Sequence, residues 1–170
     1  MTAVADKTVL ITGGGTGLGA DMARHFAKEG ATVWIAGRTS KTLDAVAATH
    51  EGIHGVEADV TDETSVEAMF DFIGTPDIVI ANAGASSSAP FARTRLEDWQ
   101  AMIDVNLTGT FLTFRAAIQR LGKDRWGRLI AVASTAGLKG YSYVAPYAAA
   151  KHGVIGMVRS LALETARGPV

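Results

Sequence analysis

An α/β fold built on an open parallel sheet is what this sequence predicts, on three observations. Short apolar, β-branched runs alternate with segments of helical periodicity along the whole chain. The runs are continuous rather than polar at every second position, the pattern of strands buried on both faces. The first two runs are joined by a glycine-rich turn and a helix, the order of a βαβ unit with a right-handed crossover. A chain of 170 residues suits one domain, 1–170, able to bury roughly 70% of its unfolded surface.

The elements follow in turn. Thr-Val-Leu-Ile-Thr, within Lys7 to Thr12, is the first strand. Gly13 to Gly19 forms the turn, and Leu18, Met22, Ala23, Phe26 and Ala27 recur on one side of a helix that Gly30 stops. Ala31 to Ala36 is the second strand, Lys41 to Thr49 a helix, and Ile53 to Glu57 the third strand, ending at Ala58-Asp59-Val60. Thr61 or Asp62 caps a helix running to Phe72. Pro76-Asp77 leads into the fourth strand, Ile78 to Ala81, and then into Asn82-Ala83-Gly84 and a small polar loop to Pro90. Leu96 to about Leu121 is a long helix. Asn106 inside it competes for backbone bonds, so it is either the mark of a local distortion or a tolerated polar residue. Arg128 to Ala133 is a buried fifth strand, and a last helix runs from Pro146 to about Ala166.

Composition excludes several classes. Sixteen basic against seventeen acidic residues give no excess that would draw nucleic acid or an anionic membrane surface. The absence of cysteine rules out disulfides, thiolate metal sites and cysteine nucleophiles. His50 and His54 straddle a loop and a strand, and His152 reads as a helix-surface residue, so no metal site is expected. The N-terminus lacks the basic-then-apolar order of a secretion signal, and no run reaches the ~18 apolar residues of a membrane span. The expected location is cytoplasmic.

Ligands of open parallel sheets lie beyond the carboxyl ends of the strands. Gly13 to Gly19, Arg38, Asp59, Asn82 to Gly84 and Ser134 all fall at such ends. The glycine turn meets G-x-G-x-x-G only loosely, as Gly15-x-Gly17-x-x-Ala20, and better fits Thr12-Gly13-x-x-x-Gly17-x-Gly19. Its glycines let backbone approach a pyrophosphate at the helix N-terminus; the alternative is a tight turn without a ligand. After the second strand, Gly37-Arg38-Thr39-Ser40 has no carboxylate for a ribose diol. Arg38 suits a 2′-phosphate, favouring NADP over NAD, unless it is a solvated loop residue.

The chemistry is expected between Ser134 and Lys151. Pro146 suits a first helical turn, and Tyr147 and Lys151, four residues apart, share a helix face. An ammonium near a phenol favours the phenolate, and a tyrosine that trades a proton near neutral pH serves ketone/alcohol interconversion. Ser134 is placed to donate to a carbonyl oxygen gaining charge. A lone Tyr-x-x-x-Lys is a common accident; the other strand-end residues give it weight.

Together these residues resemble the short-chain dehydrogenase/reductase family. The resemblance rests on the Thr12–Gly19 loop, Asp59, Asn82-Ala83-Gly84, Asn106, Ser134 and Tyr147-x-x-x-Lys151, in order along essentially the whole chain. It implies a Rossmann-like, doubly wound sheet ordered 3-2-1-4-5. It implies Tyr147 as acid/base, Ser134 as the carbonyl's partner, Lys151 lowering the tyrosine pKa and binding the nicotinamide ribose, and Asn106 supporting a water relay. Gly13, Gly15, Thr16, Gly17, Leu18 and Gly19 would cradle the cofactor, with Asp59 and Val60 at the adenine and Asn82, Ala83 and Gly84 along the adenosine. Thr16 occupies the position where several NADP-dependent relatives place a basic residue. Ala136 and Tyr141, with Ser134 and Tyr147, would line the substrate site. Lys139 would meet a carrier's phosphate or face solvent. The sequence is similar to 3-oxoacyl thioester reductases and hydroxyacyl dehydrogenases, implying a small carbonyl or alcohol substrate. A homo-oligomer, dimer or tetramer, is implied through the helices carrying Asn106 and Tyr147. Family members continue with two more strands and a substrate-covering segment, so a fragment is expected. A non-catalytic dinucleotide- or partner-binding module is the alternative function.

Overall fold

The computed structural model describes residues 4–122, 125–166, 168 and 170. Five strands, β1 (Thr8–Thr12), β2 (Thr32–Gly37), β3 (Ile53–Glu57), β4 (Ile78–Ala81) and β5 (Arg128–Ala131), form one wholly parallel sheet in the order 3-2-1-4-5. Helices α1 (Gly17–Lys28), α2 (Ser40–Ala47), α3 (Glu63–Ile73), α4 (Leu96–Ile103), α5 (Gly109–Leu121) and α6 (Ala145–Thr165) complete the chain.

The period-two geometry of β1 divides the core. Val9 and Ile11 join α1 and α2 residues such as Ala23 and Leu43 on one face, while Leu10 joins Val66 and Phe70 of α3 and Ala116 of α5 on the other. All three of these β1 residues are fully buried, so the middle of the central strand is apolar because both faces are covered. The alanines of α1 let that helix approach closely. Its sheet-facing residues are Gly19, Ala20, Ala23 and Ala27. Leu18, expected on that side, is 59% exposed because the helix phase turns it away from the sheet.

Asp62 caps α3, its carboxylate accepting from Thr64 N at 2.9 Å, while the Thr61 hydroxyl donates to Asp59. The fifth strand differs from expectation. Its ladder ends at Ala131, with Val132 N adding one bond to Ala81 O, and it is half exposed rather than buried, Ile130 by 40%. Among the described residues β5 is an edge strand paired only with β4.

The long helix is interrupted at Asn106. Asp104–Thr108 forms a single π turn between α4 and α5, a widening of the helix associated with functional sites. The Thr110 hydroxyl takes up Asn106 O at 2.9 Å. Helix α6 crosses this turn at Gly153, where a Cβ would lie 2.7 Å from the end of the Leu107 side chain, so a larger residue there displaces Leu107.

Candidate active site

The carboxyl ends of β1 and β4 are tied by one buried side chain. Thr12, 1% exposed, accepts from both Asn82 N and Ala83 N at 3.1 Å through its hydroxyl oxygen. Asn82 Nδ2 returns a bond to Thr12 O at 2.9 Å and a longer one to Gly13 O. Gly13 then turns with φ +66°, and a Cβ there would stand 2.8 Å from the Ala83 backbone. Both the left-handed conformation and the close approach require glycine.

Beyond these ends opens a cleft of about 580 Å³, lined among others by Gly13, Gly15, Thr16, Arg38, Asp59 and Val60. Ala83 and Gly84 border it as well. Of the expected cofactor residues, Gly17, Leu18, Gly19, Asn82, Tyr147 and Lys151 are not on its wall. Gly17 and Leu18 begin α1, Gly19 packs against Gly13 O, and Asn82 braces the loop from behind. Thr39, Thr42, Met102 and Val105 line the cleft without having been anticipated, because only the fold brings their helices to the strand ends.

The cleft suits a dinucleotide. The first turn of α1 carries no acidic residue, and Thr16 makes no side-chain cap bond there, so the N–H groups of this helix start remain open to an anion. Asp59 stays ionised. The Thr61 backbone N–H, first, then its hydroxyl and the nearby Arg38 charge hold its carboxyl below the usual carboxylate range, against the opposing effect of burial. Asp59 N in turn donates to the Ser65 hydroxyl at 3.0 Å.

Lys151 forms the hub of the second half. It is 4% exposed, yet its ammonium is fixed by one main-chain acceptor, Val132 O, at 2.8 Å. Burial pushes its pKa down from the usual lysine value. Its Nζ lies 5.7 Å from the ring centroid of half-buried Tyr147, one turn earlier on α6. Gly84 sits between this lysine and the π turn: a Cβ there would be 2.8 Å from Asn106 Oδ1 and 3.7 Å from Lys151 Nζ. Asn106 is fully buried, its Nδ2 donating to Ala85 O at 2.8 Å and Met102 O at 3.0 Å. Its Oδ1 has no hydrogen-bond partner among the described residues. A buried amide oxygen left open beside a lysine fits a water or a ligand hydroxyl.

Ser134 ends the β5 segment in extended conformation, and its Oγ accepts from Ala136 N at 3.1 Å. That bond leaves the hydroxyl hydrogen free to be donated. Ala136 is buried, so what it brings to the site is this N–H rather than an exposed methyl. Tyr141 is 46% exposed and donates to the Thr135 hydroxyl at 3.0 Å, with the Lys139 ammonium 5.1 Å above its ring.

Fold and site together define a dinucleotide-dependent α/β enzyme scaffold, and comparison narrows the class. A profile of the short chain dehydrogenase family matches residues 7–170. The chain is 36% identical to the 3-oxoacyl-[acyl-carrier-protein] reductase FabG of Aquifex aeolicus (strain VF5), over 94% of this chain and 68% of that protein. It is 39% identical to the (-)-trans-carveol dehydrogenase of Rhodococcus erythropolis, over 98% and 68% respectively. Among solved structures, a short chain dehydrogenase from Bacillus anthracis str. 'Ames Ancestor' superposes with a TM-score of 0.91 at 34% identity, covering 95% of this chain and 70% of that one. An actinorhodin polyketide ketoreductase solved with NADPH does so with a TM-score of 0.90 at 30% identity, covering 99% and 69%. The chain belongs to the short-chain dehydrogenase family, oxidoreductases of the CH–OH/C=O couple that bind NAD(P). It spans about two thirds of the length of the curated relatives it matches.

Proposed function

We propose that this chain carries the cofactor site and acid/base centre of an NADP(H)-dependent reductase that turns a 3-oxoacyl thioester or similar carbonyl into a secondary alcohol. The observation that carries the reading is a buried lysine, locked by Val132 O and set 5.7 Å from the Tyr147 ring, beside the open amide oxygen of Asn106. A pure binding module has no use for that combination. The relatives named as 3-oxoacyl reductases, and the NADPH in a structural neighbour, support the substrate class and cofactor. Arg38 and Thr39 on the cleft wall offer a guanidinium and a hydroxyl where a 2′-phosphate would lie.

A nicotinamide cofactor supplies the hydride at the carbonyl carbon. The chain's residues handle the oxygen and the proton. Ser134 Oγ donates a hydrogen bond to the oxygen as it gains charge, and the Tyr147 hydroxyl gives it a proton. Lys151 stabilises the phenolate left behind, and a water held at Asn106 Oδ1 connects that site to solvent for proton return. The Gly13 turn, the open start of α1, Asp59 and Gly84 hold and orient the dinucleotide.

The apolar groove of about 330 Å³ between α5 and α6, lined by Phe111, Phe114, Ile118, Met157 and Leu161, supports pairing of copies into a dimer or tetramer. No helix among the described residues is long and apolar enough to cross a membrane.

The test follows nicotinamide absorbance with acetoacetyl thioester and NADPH, then NADH, for the wild type and Tyr147→Phe. Oxidation of NADPH well above NADH, abolished by the substitution while NADPH binding persists, is the expected result. Undiminished turnover in the variant overturns the role of Tyr147.

A further inference from the structure

Asp104 opens the π turn and lines the cleft. Ala101, Asp104 and Val105 stand at the three- and four-residue spacing of one helix face, and all three border the cavity. The turn also fixes where along the cleft this carboxylate stands. The Gly109 N–H closes it on Asp104 O, the long bond of a π turn. At Gly109 the helix lies so close to the end of β3 that a Cβ would stand 2.8 Å from Val60 Cγ2 and 3.3 Å from Val60 O. Asp104 is therefore one turn from the contact with Val60, at the β3 end of the cleft where Asp59 also lies. The two carboxylates are held alike. Asp59 Oδ1 accepts from the Thr61 N–H at 2.9 Å and the Thr61 hydroxyl at 2.8 Å, and Asp104 Oδ1 accepts from Gln100 Nε2 at 2.7 Å. In each, Oδ2 has no hydrogen-bond partner among the described residues. Two such oxygens repel phosphate, for which the cleft has Arg38 and the open start of α1. They suit an uncharged group with two N–H bonds to give. A dinucleotide has two such groups, the nicotinamide carboxamide and the 6-amino group of adenine. The first belongs with the reacting ring beside Ser134 and Tyr147, so the β3 end takes the second.

We propose that Asp104 is a specificity-determining residue for the base of the cofactor, its Oδ2 accepting one N–H of the adenine 6-amino group while Asp59 accepts the other. The assignment rests on the cofactor reading above, which sets Asp59 and Val60 at the adenine. Gln100, by binding Oδ1, leaves Oδ2 as the oxygen offered to the ligand.

The probes are NADPH and its deamino analogue, in which hypoxanthine presents a carbonyl oxygen where adenine has the amine. Both carry the same reduced nicotinamide, so its fluorescence reports the affinity of each without turnover. The wild type prefers NADPH, and Asp104→Asn lowers that preference about tenfold, the size of one hydrogen bond to a charged group. The substitution is nearly isosteric and its amide oxygen still accepts from Gln100, so the urea midpoint stays at the wild-type value. Asp59→Asn lowers the preference by a similar factor, and the two substitutions together remove it. An unchanged ratio in Asp104→Asn overturns the assignment, whether both affinities stay or both move together, because a charge lost near bound phosphates shifts the two dinucleotides alike. A ratio that depends on Asp104 in a chain that oxidises no NADPH with acetoacetyl thioester fails the reductase reading and leaves this assignment standing. A chain that binds neither dinucleotide overturns both.

Discussion

Replacing Thr12 by valine removes one oxygen and changes almost nothing else in shape. That oxygen is the shared acceptor for Asn82 N and Ala83 N, both at 3.1 Å, at a position 1% exposed. Each buried N–H left without a partner costs about 1–3 kcal/mol. Both donors are half-buried here, so water recovers part of that, and a total of about 1–3 kcal/mol is expected. Against a total stability of about 5–15 kcal/mol this is a measurable shift in a urea midpoint. The two bonds also set Asn82-Ala83-Gly84 against the glycine turn, so affinity for NADPH, followed by its fluorescence, falls in step. Thr12→Ser retains the acceptor and retains the affinity. If Thr12→Val unfolds within about 0.5 kcal/mol of wild type and binds NADPH equally, the hydroxyl is not the tie described here.

Arg38→Asp exchanges the cleft guanidinium for a carboxylate suited to a ribose diol, and loss of one charged hydrogen bond, about 1.5–3 kcal/mol, weakens NADPH binding about 10- to 100-fold relative to NADH. Paired titrations with the two cofactors check it. Asn106→Ala removes the open amide oxygen and is expected to lower kcat by about 100-fold or more with NADPH affinity kept, read by steady-state kinetics. Lys151 supplies a pH dependence. Its folded pKa lies below 10.5, so between the two values the unfolded chain binds more protons, and stability rises with pH through that window. Lys151→Met flattens this alkaline rise in urea melts at successive pH values. Phe70→Ala, at a fully buried position packed against β1 and α5, costs about 3–5 kcal/mol in the same assay.

Much of this was legible in the sequence because it is written in side chains with few uses. Thr-Val-Leu-Ile-Thr is typical of a strand covered on both faces, and Tyr147 and Lys151 share a face by helical arithmetic alone. At Asn106 the sequence left two readings open, a local distortion or a tolerated polar residue, and the π turn at Asp104–Thr108 realises the first. What stayed hidden is carried by main-chain atoms or by phase. Val132 and Ala85 reach Lys151 and Asn106 through carbonyl groups that every residue type possesses. The exposure of Leu18 depends on a rotation of α1 that the apolar pattern does not fix, and the half-exposed β5 on its place at the edge of the sheet.

The partners of Lys151 and Asn106 have a consequence for how this chain can change. A side-chain acceptor is lost at a single codon change, whereas a peptide carbonyl survives every substitution that preserves the local path. These two bonds therefore place no demand on the side chains at positions 132 and 85, although Val132 also packs against the core. The vulnerability passes to whatever bends that path. A proline at Val132 or Ala85, which resets the local backbone, should inactivate where leucine or serine does not.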